Sequence, residues 1–152
     1  MSITLDQIKE QLSAIEPTES IYSGIGPSEI PFLEQLLQDK EAWMASRAVF
    51  ALSRISGVQA MTILSDAAAD SREEVRVAVA ASAKDMKPED ANTILLQLLT
   101  DSDPGVRKFA VTSVSPAHSA AVHHRLEEIE VRDSSPAIRE IATNRLKQLQ
   151  RK

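Results

Sequence analysis

The amino-acid sequence predicts an all-α fold, an α-α superhelix (α-solenoid) of about four stacked helical hairpins with a capping helix at the N-terminus. Three observations predict it. A leucine returns every 31 residues, apolar positions within each period are spaced by three and four, and helix-breaking chemistry stands at the joints.

The period is visible at several registers. Leu33, Leu64, Leu95 and Leu126 stand 31 residues apart, and Leu36, Ala67, Leu98 and Ile129 repeat the step three residues on. Asp39, Asp70, Asp101 and Asp133 follow at intervals of 31, 31 and 32, and Met44, Val75, Val106 and Ile138 keep those intervals. Spacing by three and four places such residues on one face of a helix, and each period has room for two helices. In the third period the first helix reads Asn92-Thr-Ile-Leu-Leu-Gln-Leu-Leu-Thr100. After Asp101-Ser-Asp-Pro-Gly105, its partner offers Val106, Phe109, Ala110 and Val114 as core.

The joints agree. Asp103 and Ser135 precede Pro104 and Pro136, a capping side chain ahead of a proline whose fixed φ suits a first helical turn. Ser56-Gly57, Lys87-Pro88 and Ser115-Pro116 end the second helices. The hairpins are expected at about 28–56, 57–87, 88–116 and 117–152, stacked as one cooperative domain because none can bury both apolar faces alone. Residues 1–27 are expected to supply the capping helix and a loop. Thr4-Leu-Asp-Gln7 has the form of a capping box, Leu5, Ile8, Leu12 and Ile15 form an apolar stripe, and Pro17, Gly24, Gly26 and Pro27 mark the loop. At the other end Arg139, Glu140, Arg145, Lys147, Gln148, Gln150, Arg151 and Lys152 make a polar outer face, so the stack is expected to be complete.

Composition narrows the function classes. The 152 residues carry a net charge of −5 with 43% hydrophobic and 26% charged residues, an ordinary globular balance. The absence of cysteine excludes disulfides, zinc–thiolate sites, iron–sulfur clusters and thiol catalysis. Asp6, Lys9 and Glu10 fall where a signal peptide needs an apolar core, and no run is long enough to span a membrane, so a cytoplasmic protein is expected.

The unit pattern of a leucine-rich helix, an aspartate, and an arginine six residues later behind an apolar residue resembles HEAT repeats. It is particularly similar to the HEAT-like units first associated with phycobilisome lyases. Asp70 with Val75-Arg76, Asp101 with Val106-Arg107, and Asp133 with Ile138-Arg139 carry the resemblance over about four-fifths of the chain. It implies a structural ladder in which Asp70, Asp101 and Asp133 accept backbone N–H groups while Arg76, Arg107 and Arg139 fork onto neighbouring carboxylates. The first unit departs from the pattern, with Ala45 six residues after Asp39 and an arginine only at Arg47. The resemblance implies no single activity, because HEAT-like families include adaptors, assembly factors, bilin lyases, DNA-repair glycosylases and an iron-dependent hydroxylase.

Catalytic constellations are not legible. His118, His123 and His124 sit in one connection as ordinary surface histidines. Adjacent His123 and His124 diverge by about 100° on a helix, whereas paired ligands need i,i+3 or i,i+4 spacing. Gly24-Ile-Gly26 has no lysine to make a phosphate loop and is expected to turn the chain into the first hairpin. Arg72, Arg76, Lys84, Arg107 and Lys108 form at most a basic strip, interrupted by Glu73, Glu74 and Asp85, which disfavours nucleic acid as a partner.

A partner-binding groove remains. Second helices usually line the concave side of such stacks. With Met44, Val75, Val106 and Ile138 as core, the open face falls two, five, six and nine residues on. The rows are Ser46, Val49, Phe50 and Ser53; Val77, Ala80, Ala81 and Lys84; Lys108, Val111, Thr112 and Ser115; and Glu140, Thr143, Asn144 and Lys147. Rows five and six face either a partner or the next hairpin. Trp43, the lone tryptophan, either anchors a partner together with Arg47 or packs on the N-terminal helix. The candidate partner-binding set is therefore Trp43, Ser46, Arg47, Phe50, Val77, Lys84, Lys108 and Val111. The expected function is a non-enzymatic scaffold or adaptor for a protein partner, monomeric or weakly oligomeric, with no cofactor, no metal and no membrane. The alternatives are a lyase or chaperone-like factor for a tetrapyrrole-bearing protein and, behind it, a nucleic-acid-binding protein.

Overall fold

The computed structural model describes residues 3–14 and 18–150. Ile15, Pro17, Arg151 and Lys152, used in the sequence argument, lie outside the described residues. Among the described residues there are nine α-helices and three short 3₁₀ turns, with no strand. They are α1 (Leu5–Leu12), α2 (Ile30–Leu36), α3 (Ala42–Leu52), α4 (Val58–Ala67), α5 (Glu73–Ser82), α6 (Pro88–Leu98), α7 (Pro104–Ser113), α8 (Ala120–Arg132) and α9 (Pro136–Gln150). Two helices fall in each expected period, behind the capping helix.

Local chemistry sets the helix starts. The Thr4 hydroxyl accepts the Gln7 N–H at 3.1 Å while the Gln7 side chain accepts the Thr4 N–H at 2.8 Å, a full capping box. The Asp103 carboxylate accepts the Val106 N–H at 2.9 Å ahead of Pro104, and Ser135 accepts the Ile138 N–H at 3.3 Å ahead of Pro136. Ser119 caps α8 in the same way through Val122. Gly57 enters α4 at φ +122°, a backbone conformation that L side chains rarely adopt.

The recurring aspartates build the turns. Each accepts the N–H two residues on: Asp39 from Glu41 (2.9 Å), Asp70 from Arg72 (2.8 Å), Asp101 from Asp103 (2.9 Å) and Asp133 from Ser135 (2.9 Å). The constant interval of six to arginine closes the same turns. Arg76, Arg107 and Arg139 each reach back with Nη1 to the main-chain carbonyl of the aspartate six residues earlier, at 2.8 Å and 2.9 Å in the first two cases.

The chain divides into two compact units, Met1–Val79 and Ala80–Lys152. In the first, α2 pairs with α3, α1 lies against both, and α4 contacts α2 and α3. Ile8, Leu12, Leu33, Leu52 and Leu64 are fully buried there and Met44 nearly so. Arg72 fastens the α2 end by donating to the Leu37 carbonyl at 2.6 Å and the Asp39 carbonyl at 2.8 Å, with its Nε on Asp70 at 3.1 Å. Cations on the last carbonyls of a helix are favoured by its dipole.

In the second unit first helices meet first helices (α6 with α8) and second helices meet second helices (α7 with α9), and the hairpins pair α6 with α7 and α8 with α9. Leu95, Leu98, Val106 and Leu126 are fully buried. Arg107 forks onto both carboxylate oxygens of Asp133, Nε at 2.8 Å and Nη2 at 3.1 Å, and so ties the turn before α7 to the turn before α9. Arg145 donates from Nε and Nη2 to the Val114 carbonyl at the end of α7. Phe109 departs from its expected core position: it lies at the edge of the apolar arc of α7, 39% exposed, with the Lys108 ammonium 5.8 Å from its ring centre.

Candidate functional site

Helix α3 buries Met44, Ala45, Ala48, Val49, Ala51 and Leu52, and this arc leaves Trp43, Arg47 and Phe50 on the remaining side. Steps of four, three and four carry the stripe from Trp43 through Arg47 and Phe50 to Arg54, just beyond the helix end, so the four residues share one face. Trp43 is 49% exposed, which places it on the surface and not in a contact that seals it against α1. Phe50 is half-buried. Large aromatic and guanidinium groups in one row are the residue types that dominate protein interfaces.

The two arginines are held in place by different contacts. Arg47 donates Nη1 to the carbonyls of Leu12 (2.7 Å) and Ala14 (2.9 Å) at the C-terminal end of α1, and its guanidinium carbon lies 6.0 Å from the Trp43 ring centre. This explains why the first repeat lacks the usual arginine: the position six residues after Asp39 is the fully buried Ala45, and Arg47 docks the capping helix instead. Arg54 donates Nη1 to the Phe50 carbonyl at 2.7 Å, lies 4.0 Å from the Tyr22 ring centre, and grips Glu19 with Nε at 3.0 Å and with Nη2. Hydrogen bonding from Arg54 holds the Glu19 carboxyl below its usual range.

Between the helix and the 3₁₀ turn Glu19–Tyr22 lies a pocket of about 270 Å³ lined by Thr18, Glu19, Tyr22, Arg47, Phe50 and Arg54. The turn is anchored from behind by Gln11, whose amide donates to the carbonyls of Ile21 (3.2 Å) and Ser23 (2.9 Å). Arg54 and Glu19 were not among the sequence candidates. The continuation of the Trp43–Arg47–Phe50 stripe by one further turn was the signal for Arg54, while nothing in the sequence pairs it with Glu19.

The remaining candidates fall in various places. Ser46 donates to the Ala42 carbonyl at 2.8 Å and the Glu74 carbonyl at 3.3 Å, which makes it a tie between α3 and α5. Val77 is half-buried on α5, and Lys84 and Lys108 are exposed in the second unit. Val111 is a correction: it is fully buried, as are Val49 and Ala80 in the same row. Helix α7 packs against both α6 and α9, so its buried arc is wider than one hairpin partner requires, and row five falls inside it.

His118 is also corrected. It is 7% exposed and not a surface histidine, with Nδ1 accepting the Ser115 N–H at 2.8 Å, while His123 Nε2 lies 2.9 Å from the Ser115 carbonyl. Burial first, then the neighbouring His123 and Arg145, lowers its pKa. Among the described residues no group of three or more His, Cys, Asp or Glu gathers as it would for a metal ion. The basic strip loses much of its reach, because Arg72 and Arg107 spend their guanidinium groups on carbonyls and on Asp70 and Asp133. No helix among the described residues is long and apolar enough to cross a membrane.

Comparison with known proteins agrees with this architecture. The complex of CpcE and CpcF of phycocyanin lyase from Nostoc sp. PCC7120 contains a similar chain at 20% identity and a TM-score of 0.71, covering 93% of this chain and 97% of that one. A designed armadillo repeat protein in complex with the peptide (KR)4 is similar at 16% identity and a TM-score of 0.54, covering 96% of this chain and 82% of that one. A computationally designed armadillo repeat protein for modular peptide recognition is similar at 17% identity and the same TM-score of 0.54, with the same coverage of 96% and 82%. At these identities the likeness shows a helical solenoid fold. No curated protein sequence matches the chain. A family model for HEAT repeats matches residues 64–147, more than half of the sequence, and the chain therefore belongs to the HEAT-repeat family.

Proposed function

We propose that this protein is a binding scaffold that holds a protein partner along the exposed face of α3, acting through contacts and not through a chemical step. The observation that carries the proposal is the stripe of Trp43, Arg47 and Phe50. It sets a half-exposed tryptophan and a half-buried phenylalanine beside a pocket of about 270 Å³. Val77 is a further candidate in the same unit, Lys84 and Lys108 are separate candidates on the second unit, and Ser46 ties α3 to α5. Two designed armadillo repeat proteins support the reading by fold, one in complex with the peptide (KR)4 and one designed for modular peptide recognition. Affinity capture from lysate with wild-type protein and with Phe50→Glu tests it. The partner recovered by the wild type is expected to be lost from the folded variant, and equal recovery contradicts this face.

A second reading is favoured by one observation, the similarity over nearly the whole of both chains to a component of the phycocyanin lyase complex of CpcE and CpcF. In that reading the chain serves a tetrapyrrole-bearing protein as a lyase or chaperone-like factor, paired with another repeat protein. Mixing the purified chain with a bilin and recording visible absorption separates the two readings. A stoichiometric spectral change favours this one, and an unchanged spectrum favours the simple scaffold.

A further inference from the structure

The Arg54–Glu19 contact has the form of a binding seat already holding an occupant. The guanidinium donates Nη1 to the Phe50 carbonyl at 2.7 Å and lies 4.0 Å from the Tyr22 ring centre, while Nε and Nη2 form a fork. That fork matches a carboxylate, and the Glu19 carboxylate fills it. Glu19 itself is held weakly from elsewhere. Its side chain is 76% exposed, and it stands on a four-residue 3₁₀ turn with no side-chain cap at its start. Because the Glu19 end of the pair stands open to solvent, another carboxylate can reach the same fork and exchange for it.

The rest of the pocket extends the seat in one direction. Phe50 and Arg47 continue the wall toward Trp43, so a carboxylate at Arg54 is followed by apolar and cationic surface one and two helical turns away. Among the described pocket residues Glu19 is the acidic one, and it is already seated.

We propose that this pocket receives an acidic, apolar-containing segment of the partner, one of whose carboxylates displaces Glu19 from Arg54 while an apolar side chain packs on Phe50. The proposal rests on the scaffold reading above and adds the chemistry of the partner. Glu19 then acts as a tethered competitor, and affinity is set by the exchange of one carboxylate for another on the same fork. A partner segment of the opposite charge, such as the (KR)4 peptide carried by the armadillo neighbour, meets Arg47 and Arg54 and is repelled.

The test uses fluorescence anisotropy with a fluorescein-labelled peptide of glutamates interspersed with leucines, and with its lysine counterpart, on the full chain. Glu19→Gln is expected to bind the glutamate peptide about 2–5-fold more tightly than wild type, the range that releasing an exposed ion pair allows. Arg54→Gln is expected to bind it about 10-fold more weakly, as for loss of a charge-assisted fork. In Glu19→Gln the Arg54 Nε–Hε resonance, shifted from its wild-type position, is expected to return toward it as peptide is added. Equal affinity of Glu19→Gln and wild type, an Arg54 resonance indifferent to peptide, or preference for the lysine peptide would each overturn the inference. None of these bears on capture of the partner by Trp43 and Phe50, so the scaffold reading stands or falls separately. Circular dichroism of both variants guards against loss of fold.

Discussion

Arg107 and Asp133 meet across 26 residues of sequence, with Nε 2.8 Å from one carboxylate oxygen and Nη2 3.1 Å from the other, while Arg107 Nη1 also holds the Asp101 carbonyl at 2.9 Å. One guanidinium thus closes the turn of its own hairpin and grips the turn of the next. The side chains are 11% and 5% exposed, so little solvent competes for either.

Arg107→Ala is expected to lower stability by about 3 kcal/mol, because it strips the buried Asp133 carboxylate of both guanidinium hydrogen bonds and leaves only the nearby charge of Arg139. Arg107→Lys should lose less, keeping the charge but not the fork. Urea denaturation of the three proteins measures the order, and coincident midpoints would refute the rung.

Acid should lower the stability of the protein over two separate pH ranges. The Asp70 and Asp133 carboxyls lie below their ordinary 3.8: burial pushes each up, and it is outweighed by the hydrogen bonds of Arg72 with nearby charge on Asp70, and by those of Arg107 and the Ser135 N–H with nearby charge on Asp133. Their contribution is complete above the unfolded carboxylate value and is lost as pH falls through the lowered folded values. His118 is also lowered, from an ordinary 6.5, so it folds neutral and its contribution is complete above 6.5 and lost as pH falls below it. Denaturation midpoints between about pH 7 and pH 5 should fall for wild type and stay nearly flat for His118→Asn, whose side-chain oxygen stands in for Nδ1.

Arg47→Ala should release the capping helix while leaving the hairpins folded. The loss of two carbonyl contacts at the end of α1 costs roughly 1.5–3 kcal/mol for hydrogen bonds to a charged group. Amide exchange should accelerate selectively in Leu5–Leu12, and unchanged protection there would contradict the docking role.

Gly57→Ala is expected to cost about 1–3 kcal/mol, since φ +122° admits little but glycine. Gly26→Ala, at φ −139° with its nearest added contact at 3.8 Å, should stay within about 0.5 kcal/mol of wild type. Thermal melts of the pair test the contrast.

The repeat architecture was legible because the same physical requirement recurs four times. Leu33, Leu64, Leu95 and Leu126 are all fully buried, and Asp39, Asp70, Asp101 and Asp133 all accept the N–H two residues on. A demand made once leaves no period to read. Arg47 replaces the regular arginine because it alone meets a capping helix, and Arg54 finds Glu19 across 35 residues through a loop that no repeat constrains. Val111 was misplaced for a different reason. Helical spacing gives the direction of a side chain but not how many neighbours flank the helix, and α7 packs against both α6 and α9.

Photocrosslinking tests the central claim most directly, with a benzophenone side chain placed in turn at Trp43 on α3 and at Val131, 71% exposed on α8. A partner adduct formed from position 43 and not from position 131 is the predicted result. An adduct from position 131 alone, or equal adducts from both, would contradict the assignment of the α3 face.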